Sequence, residues 1–387
     1  MFTIQSRQDK ARTGILKMQH GTVMTPAFAP VATRATVKTL TNEDLEKMGA
    51  QILMCNTYHL YLKPGSDLIE RNNGLHNFMS WDKPIMTDSG GYQAFSLGIG
   101  AELGATKFEY ENKIFDKKPR NAKVKEDGVE FKSIYDGSTH FFTPEKSIDI
   151  QRQLNSDMIF AFDECSPPSA EYDYTQKSME RTHRWLERCV NEKKTDQLLF
   201  GIIQGGKYQD LREQSAKFVV QQNTEGIGIG GSFGRQQMNQ VLDWIYPYLP
   251  EEKPRHLLGI GTVQDIFEGV KRGMDLFDCV GPQMIARAGY IYILQESGGC
   301  PDNKFRYKVN NAKFKEDDRP LDPNCDCEMC KRYSRSYVHH LFKVKEYSAK
   351  RIATYHNLYY MLNLMRKIRK SIDDQQFDEL YKKWMIQ

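Results

Sequence analysis

The chain has 387 residues, 40% of them hydrophobic and 27% charged, a balance that allows a large core and excludes a disordered polymer. Its net charge of +4 excludes a uniformly basic polyanion binder. No apolar run approaches the ~18 residues of a membrane span, and the polar start MFTIQSRQDKART lacks an apolar signal region, so neither membrane insertion nor secretion is expected.

Eight short apolar runs follow one another: AFAPVA (27–32), QILMC (51–55), PIMTD (84–88), DMIFAFD (157–163), LLFGIIQ (198–204), GIGIGG (226–231), HLLGIG (256–261) and LFDCV (276–280). Helix-like sequence separates them. Thr143-Pro144-Glu145 supplies an N-cap, a first-turn proline and an early acid before SIDIQRQL, and Thr262 to Asp265 starts IFEGVKRG in the manner of a capping box. Strands alternating with helices predict parallel βα units, and eight of them over about 250 residues predict an α/β fold, a (β/α)8 TIM barrel. The runs end in Asp88, Asp163, Gln204, Gly230–Gly231 and Asp278. A barrel of this kind builds its site at the C-terminal ends of its strands, so these residues are expected to converge. Gly226-x-Gly228-x-x-Gly231 has the spacing of a dinucleotide fingerprint, but its glycines lie within the run and QQNTE precedes it, so that reading is set aside.

Residues 98–126 are polar and basic, and are expected to form an insertion or loop after the third strand. A Pro/Asn/Asp-rich connection at 300–324 leads to the final region, where 331–371 read as helical. The expected division is a catalytic barrel at 1–300 and a zinc-binding helical subdomain at 301–387. From Asn303 to Ser371 there are 17 Lys/Arg against 7 Asp/Glu, a local excess that suits a phosphate backbone or, more plainly, a solvated basic helix.

Of eight cysteines, five are scattered, a usage that favours a reducing compartment and so the cytoplasm. The other three, Cys325, Cys327 and Cys330, fall within six positions, where thiolates from one tight loop can fill three corners of a zinc tetrahedron. A fourth ligand is needed. His339 and His340 follow closely but would have to fold straight back, whereas His356 can return on the next helical stretch, and geometry favours it. Three cysteines and a histidine leave no open position, so such a site is structural and not the zinc centre of a hydrolase.

Asp88-Ser89-Gly90-Gly91-Tyr92-Gln93, Asp163-Glu164-Cys165, Gln204-Gly205-Gly206, Phe277-Asp278-Cys279-Val280 and the Cys/Cys/Cys/His spacing together resemble the tRNA-guanine transglycosylases. TPAFAPVAT (25–33), NTYHL (56–60) and HNL (356–358) extend the likeness over nearly the whole chain. The resemblance implies a pentosyltransferase that exchanges guanine at the tRNA wobble position for a 7-deazaguanine. It implies Asp278 as the nucleophile at ribose C1′ and Asp88 as general acid/base, the chemistry of a retaining glycosidase carried to a nucleoside. It further implies Asp163, Gln204, Gly231, Ser232, Leu258 and a stacking Tyr92 around the base, Arg287 on the tRNA side, structural zinc and a homodimer. Two departures stand out. Met284 occupies a position where the family usually has arginine, and GGSFGRQQ (230–237) puts Ser232 where typical bacterial members have leucine. A smaller, hydroxyl-bearing residue there makes room for queuine, so queuine is expected over 7-aminomethyl-7-deazaguanine. A non-catalytic tRNA-binding partner of the same fold is the rival reading, against which both aspartates speak.

Overall fold

The computed structural model describes residues 2–94, 122–231 and 235–385. Every one of the eight apolar runs forms a parallel barrel strand: Ala27–Ala29 with Val31–Ala32, Leu53–Cys55, Ile85–Thr87, Met158–Phe160, Leu198–Ile203, Gly226–Ile229, Arg255–Leu257 and Leu276–Asp278. Pro30 has no N–H to give the ladder and splits the first strand in two. Ala27–Ala29 pairs with Leu276–Asp278, while Val31–Ala32 pairs with Leu53–Cys55, so the two halves close the ring. The strands read as unbroken apolar runs because each is buried on both faces, by interior side chains and by the surrounding helices.

Three antiparallel strands, Phe2–Gln8, Ala11–Met18 and Gly21–Thr25, cover the N-terminal mouth. Their Phe2, Leu16 and Val23 pack with Ile52, Met86, Met158, Phe200 and Leu276 into an apolar plug. Two aspartates fasten this cover. Asp275, just before the eighth strand, accepts Arg12 Nε at 2.9 Å and Nη2 at 2.6 Å, with both side chains almost fully buried. Asp157, just before the fourth, accepts His20 Nδ1, His76 Nε2 and the Ile85 amide. Burial alone would raise the Asp157 carboxyl, but these hydrogen bonds outweigh it and bring it to about 2.

A second antiparallel sheet, Ala122–Lys125, Gly128–Lys132 and Thr139–Phe142, is inserted between the third and fourth barrel strands. Of the insertion expected at 98–126, residues 98–121 lie outside the described residues. The helix Pro144–Leu154 starts as expected, with Thr143 Oγ1 accepting from the Lys146 amide. The helix Val263–Lys271 is likewise capped by Thr262.

The helix Tyr347–Asp373 lies across the place where the first and eighth strands meet. Arg369 donates to Pro26 O at 2.7 Å, and Thr13 Oγ1 to Asp373 at 2.7 Å. On the other side, Asn357 donates to Pro282 O at 3.1 Å and Tyr290 O at 3.0 Å and accepts from the Tyr292 amide. Among the described residues no helix is long and apolar enough to cross a membrane.

Candidate active site

The strand ends bring the expected polar residues to one face. Asp88 follows the third strand, and Asn56 and Thr57 follow the second. The Thr57 amide donates to Asp88 Oδ1 at 2.9 Å, and Asn56 Nδ2 donates to Oδ2. Asn56 also caps the helix Thr57–Leu62, which fixes the side chain that meets Asp88. Burial raises the Asp88 carboxyl to about 7 against the pull of the Thr57 amide, and the negative charges of Asp278 and Asp163 add to the rise. A carboxyl so poised can give and take a proton near neutrality.

Asp278 ends the eighth strand with its side chain 13% exposed. Its Oδ1 accepts from His256 Nε2 at 2.8 Å and from the Gly259 amide at 2.8 Å. Each carboxylate accepts two N–H donors, divided between the two oxygens of Asp88 but gathered on Oδ1 of Asp278, so their settings differ.

Asp163, after the fourth strand, is buried and accepts Ser89 Oγ at 3.3 Å and Gln204 Nε2 at 2.7 Å. The backbone passes so close here that a Cβ on Gly91 would stand 2.7 Å from Asp163 O. Gly231 follows the sixth strand at φ +138°, a conformation that L side chains rarely adopt. Beneath it the buried Arg212 guanidinium donates to Ile203 O at 3.1 Å, Gly230 O at 2.8 Å and Gly206 O at 2.8 Å, fixing the ends of the fifth and sixth strands. Tyr92 is half-buried on the helical turn after Gly91, and Leu258 is half-buried just after the seventh strand. Ser232 lies outside the described residues.

Arg287 ends the helix Gly281–Arg287 that follows the nucleophile candidate, and Met284 is half-buried on the same helix. Lys38 is lowered by partial burial and by the charges of Arg287 and Arg34. Among the described residues none of these three cations is in an ion pair, and Arg34 and Arg287 both lie near enough to Lys38 to act on its charge.

Cys325, Cys327, Cys330 and His356 offer ligand atoms that all lie within 4.8 Å of one another. His356 Nδ1 is 3.6 Å from Cys327 Sγ and 3.2 Å from Cys330 Sγ, while its Nε2 donates to Tyr292 O at 2.8 Å, fixing the tautomer that turns Nδ1 toward the thiols. Three sulfurs and one nitrogen at this spacing fit zinc. His339 is buried with Nδ1 2.8 Å from Val309 O, and His340 is exposed, so neither belongs to the cluster.

Sequence reasoning gave no role to Asn56, Thr57, His256, Arg34 or Lys38. Asn56 carried a signal, a capping residue ahead of a helix. His256 opened an apolar run and was legible only as part of a strand.

A closed parallel barrel that brings Asp88, Asp163 and Asp278 within reach of one another's charge at its C-terminal face has the arrangement of a glycosyl-transferring or glycosyl-cleaving enzyme. Residues 7–387 match the family described as queuine tRNA-ribosyltransferase. The chain is similar to the queuine tRNA-ribosyltransferase of Halothermothrix orenii, 48% identical over 97% of this chain and 95% of the relative. It is similar also to those of Caldanaerobacter subterraneus subsp. tengcongensis, 49% identical over 94% and 90%, and Herpetosiphon aurantiacus, 45% over 99% and 91%. The chain belongs to this family, the tRNA-guanine transglycosylases, and is a pentosyltransferase.

Proposed function

We propose that the enzyme replaces guanine at the tRNA wobble position with a 7-deazaguanine, queuine by preference, through a covalent aspartyl-ribose. The observation that carries this reading is the pairing of Asp88, raised to about 7, with Asp278, held by two N–H donors. Asp278 attacks ribose C1′, the C1′–N9 pair departs onto guanine, and Asp88 gives the leaving base a proton. The incoming base returns a proton to Asp88, and its N9 displaces the carboxylate.

Asp163 accepts the base's N1–H and N2–H. Gln204 gives one Nε2–H to Asp163, leaving the second for the base carbonyl. The Gly231 amide shares that carbonyl, Tyr92 stacks on the ring and Leu258 packs beside it. The base leaves the anticodon stack to enter the barrel, and Arg34, Lys38 and Arg287 meet the backbone around it. Zinc, held by Cys325, Cys327, Cys330 and His356, has a structural part only. The same reading takes 1–300 as the catalytic barrel and 301–387 as the zinc-binding subdomain of a cytoplasmic homodimer. Asp278→Ala tests it: exchange of labelled guanine into tRNA should vanish, and surviving exchange would remove the nucleophile assignment. Competition between queuine and the aminomethyl base tests the preference, which fails if the aminomethyl base wins.

A further inference from the structure

We infer that His256 is a positioning residue for the nucleophile, a neutral N–H donor that presents one chosen oxygen of Asp278 to the ribose. This inference rests on Asp278 being the nucleophile. His256 projects into the barrel from the seventh strand, beside the eighth, and is fully buried. Below it the Phe160 ring stands edge-on with centroids 5.2 Å apart, at the top of the apolar plug. Above it, Nε2 is 2.8 Å from Asp278 Oδ1.

The other ring nitrogen decides the tautomer. Nδ1 is buried with no hydrogen-bond partner among the described residues. A proton there would face no acceptor, so the single ring proton belongs on Nε2, where it is donated to Asp278. The Gly259 amide donates to the same Oδ1, and among the described residues nothing binds Oδ2. Two donors on one oxygen fix the carboxylate plane and leave Oδ2 as the oxygen turned to attack. In the displacement the Oδ2 pair forms the bond to C1′, the C1′–N9 pair leaves with the base, and Asp88 supplies the proton the base needs. The donors on Oδ1 survive this step, so the covalent ester stays aligned for the second displacement.

The experiment is rapid mixing of enzyme with wobble-guanine tRNA, quenched and resolved on a denaturing gel that separates the tRNA adduct. His256→Phe keeps the ring volume and removes the donor; adduct formation and kcat should fall by roughly 10- to 100-fold with KM for tRNA unchanged. His256→Gln, whose amide reaches about as far, should recover most of that loss. A His256→Phe rate equal to wild type would show mere packing and overturn the inference. A His256→Gln rate as low as His256→Phe would also overturn it, since a neutral donor would then not suffice. Asp278→Ala run alongside separates the failures. If that variant still exchanges base, the nucleophile reading falls; if it is inert while His256→Phe is unaffected, only the role of His256 falls.

Discussion

Asp88→Asn should make the protein more stable at about pH 8 while stopping base exchange. The Asp88 carboxyl stands at about 7 against an ordinary 3.8, a rise of roughly 3 units. At ~1.36 kcal/mol per unit, the ionised form withdraws up to ~4 kcal/mol from the folded state, and partial solvent contact brings this nearer 3. The folded value lies above the unfolded one, so the proton supports the fold at low pH. That support drains away as pH rises from about 4 through about 7. Asparagine is neutral throughout and keeps the Thr57 amide bond, but its Nδ2 meets Asn56 Nδ2, a mismatch that costs about 1 kcal/mol. The net gain is about 2 kcal/mol. An unfolding entropy of ~2.1 cal/mol/K per residue over 387 residues converts this to a Tm rise of about 2.5 °C. Calorimetry of both proteins across this pH range is the assay. The gap should close near pH 4.5, where wild-type Asp88 keeps its proton. A variant that melts below wild type at pH 8, or a gap independent of pH, would refute the origin assigned to the raised carboxyl.

Cys330→Ser should abolish bound zinc, measured by metal analysis at one equivalent per wild-type chain, and lower stability by on the order of 3 kcal/mol in a denaturant melt. Asp163→Asn sets a donor against the base's donors, so KM for guanine should rise at least about 100-fold with tRNA binding intact. Lys38→Ala and Arg287→Ala should each weaken tRNA binding and flatten its dependence on log salt by roughly 0.7 to 0.9, read by filter binding at several salt concentrations.

The barrel was legible because a strand buried on both faces must be an uninterrupted apolar run, and AFAPVA, LLFGII and GIGI leave little else to read. The carboxylates were legible because a polar residue ending such a run has no packing use. The N-terminal sheet was not. FTIQSRQ, ARTGILKM and GTVMT show only partial alternation, and their apolar side chains find a face only against the barrel's plug. The hold on Asp278 was hidden for a related reason. His256 sits 22 positions earlier, and only the parallel pairing of the seventh and eighth strands puts its ring beneath the carboxylate. Arg34 and Lys38 join Arg287 only once the ring is closed. The fourth member of the cysteine cluster could be narrowed from spacing, because the helix carrying His356 returns to the cysteine loop while the helix Arg335–Lys343 turns His339 toward Val309.

The helix that lies over the meeting of first and last strands also sets an order of events. Asp278 pairs with Ala29, about 250 residues earlier in the chain, so the ring closes through one of the most sequence-distant contacts in the molecule. During synthesis the remaining strands can pair with neighbours as they emerge, whereas this join needs both ends of the barrel, and the helix that braces it, Tyr347–Asp373, is made later still. His356 stands on that same helix, within ligand distance of Cys325, Cys327 and Cys330, so the cysteine cluster and the brace across the ring's join share one late-made element.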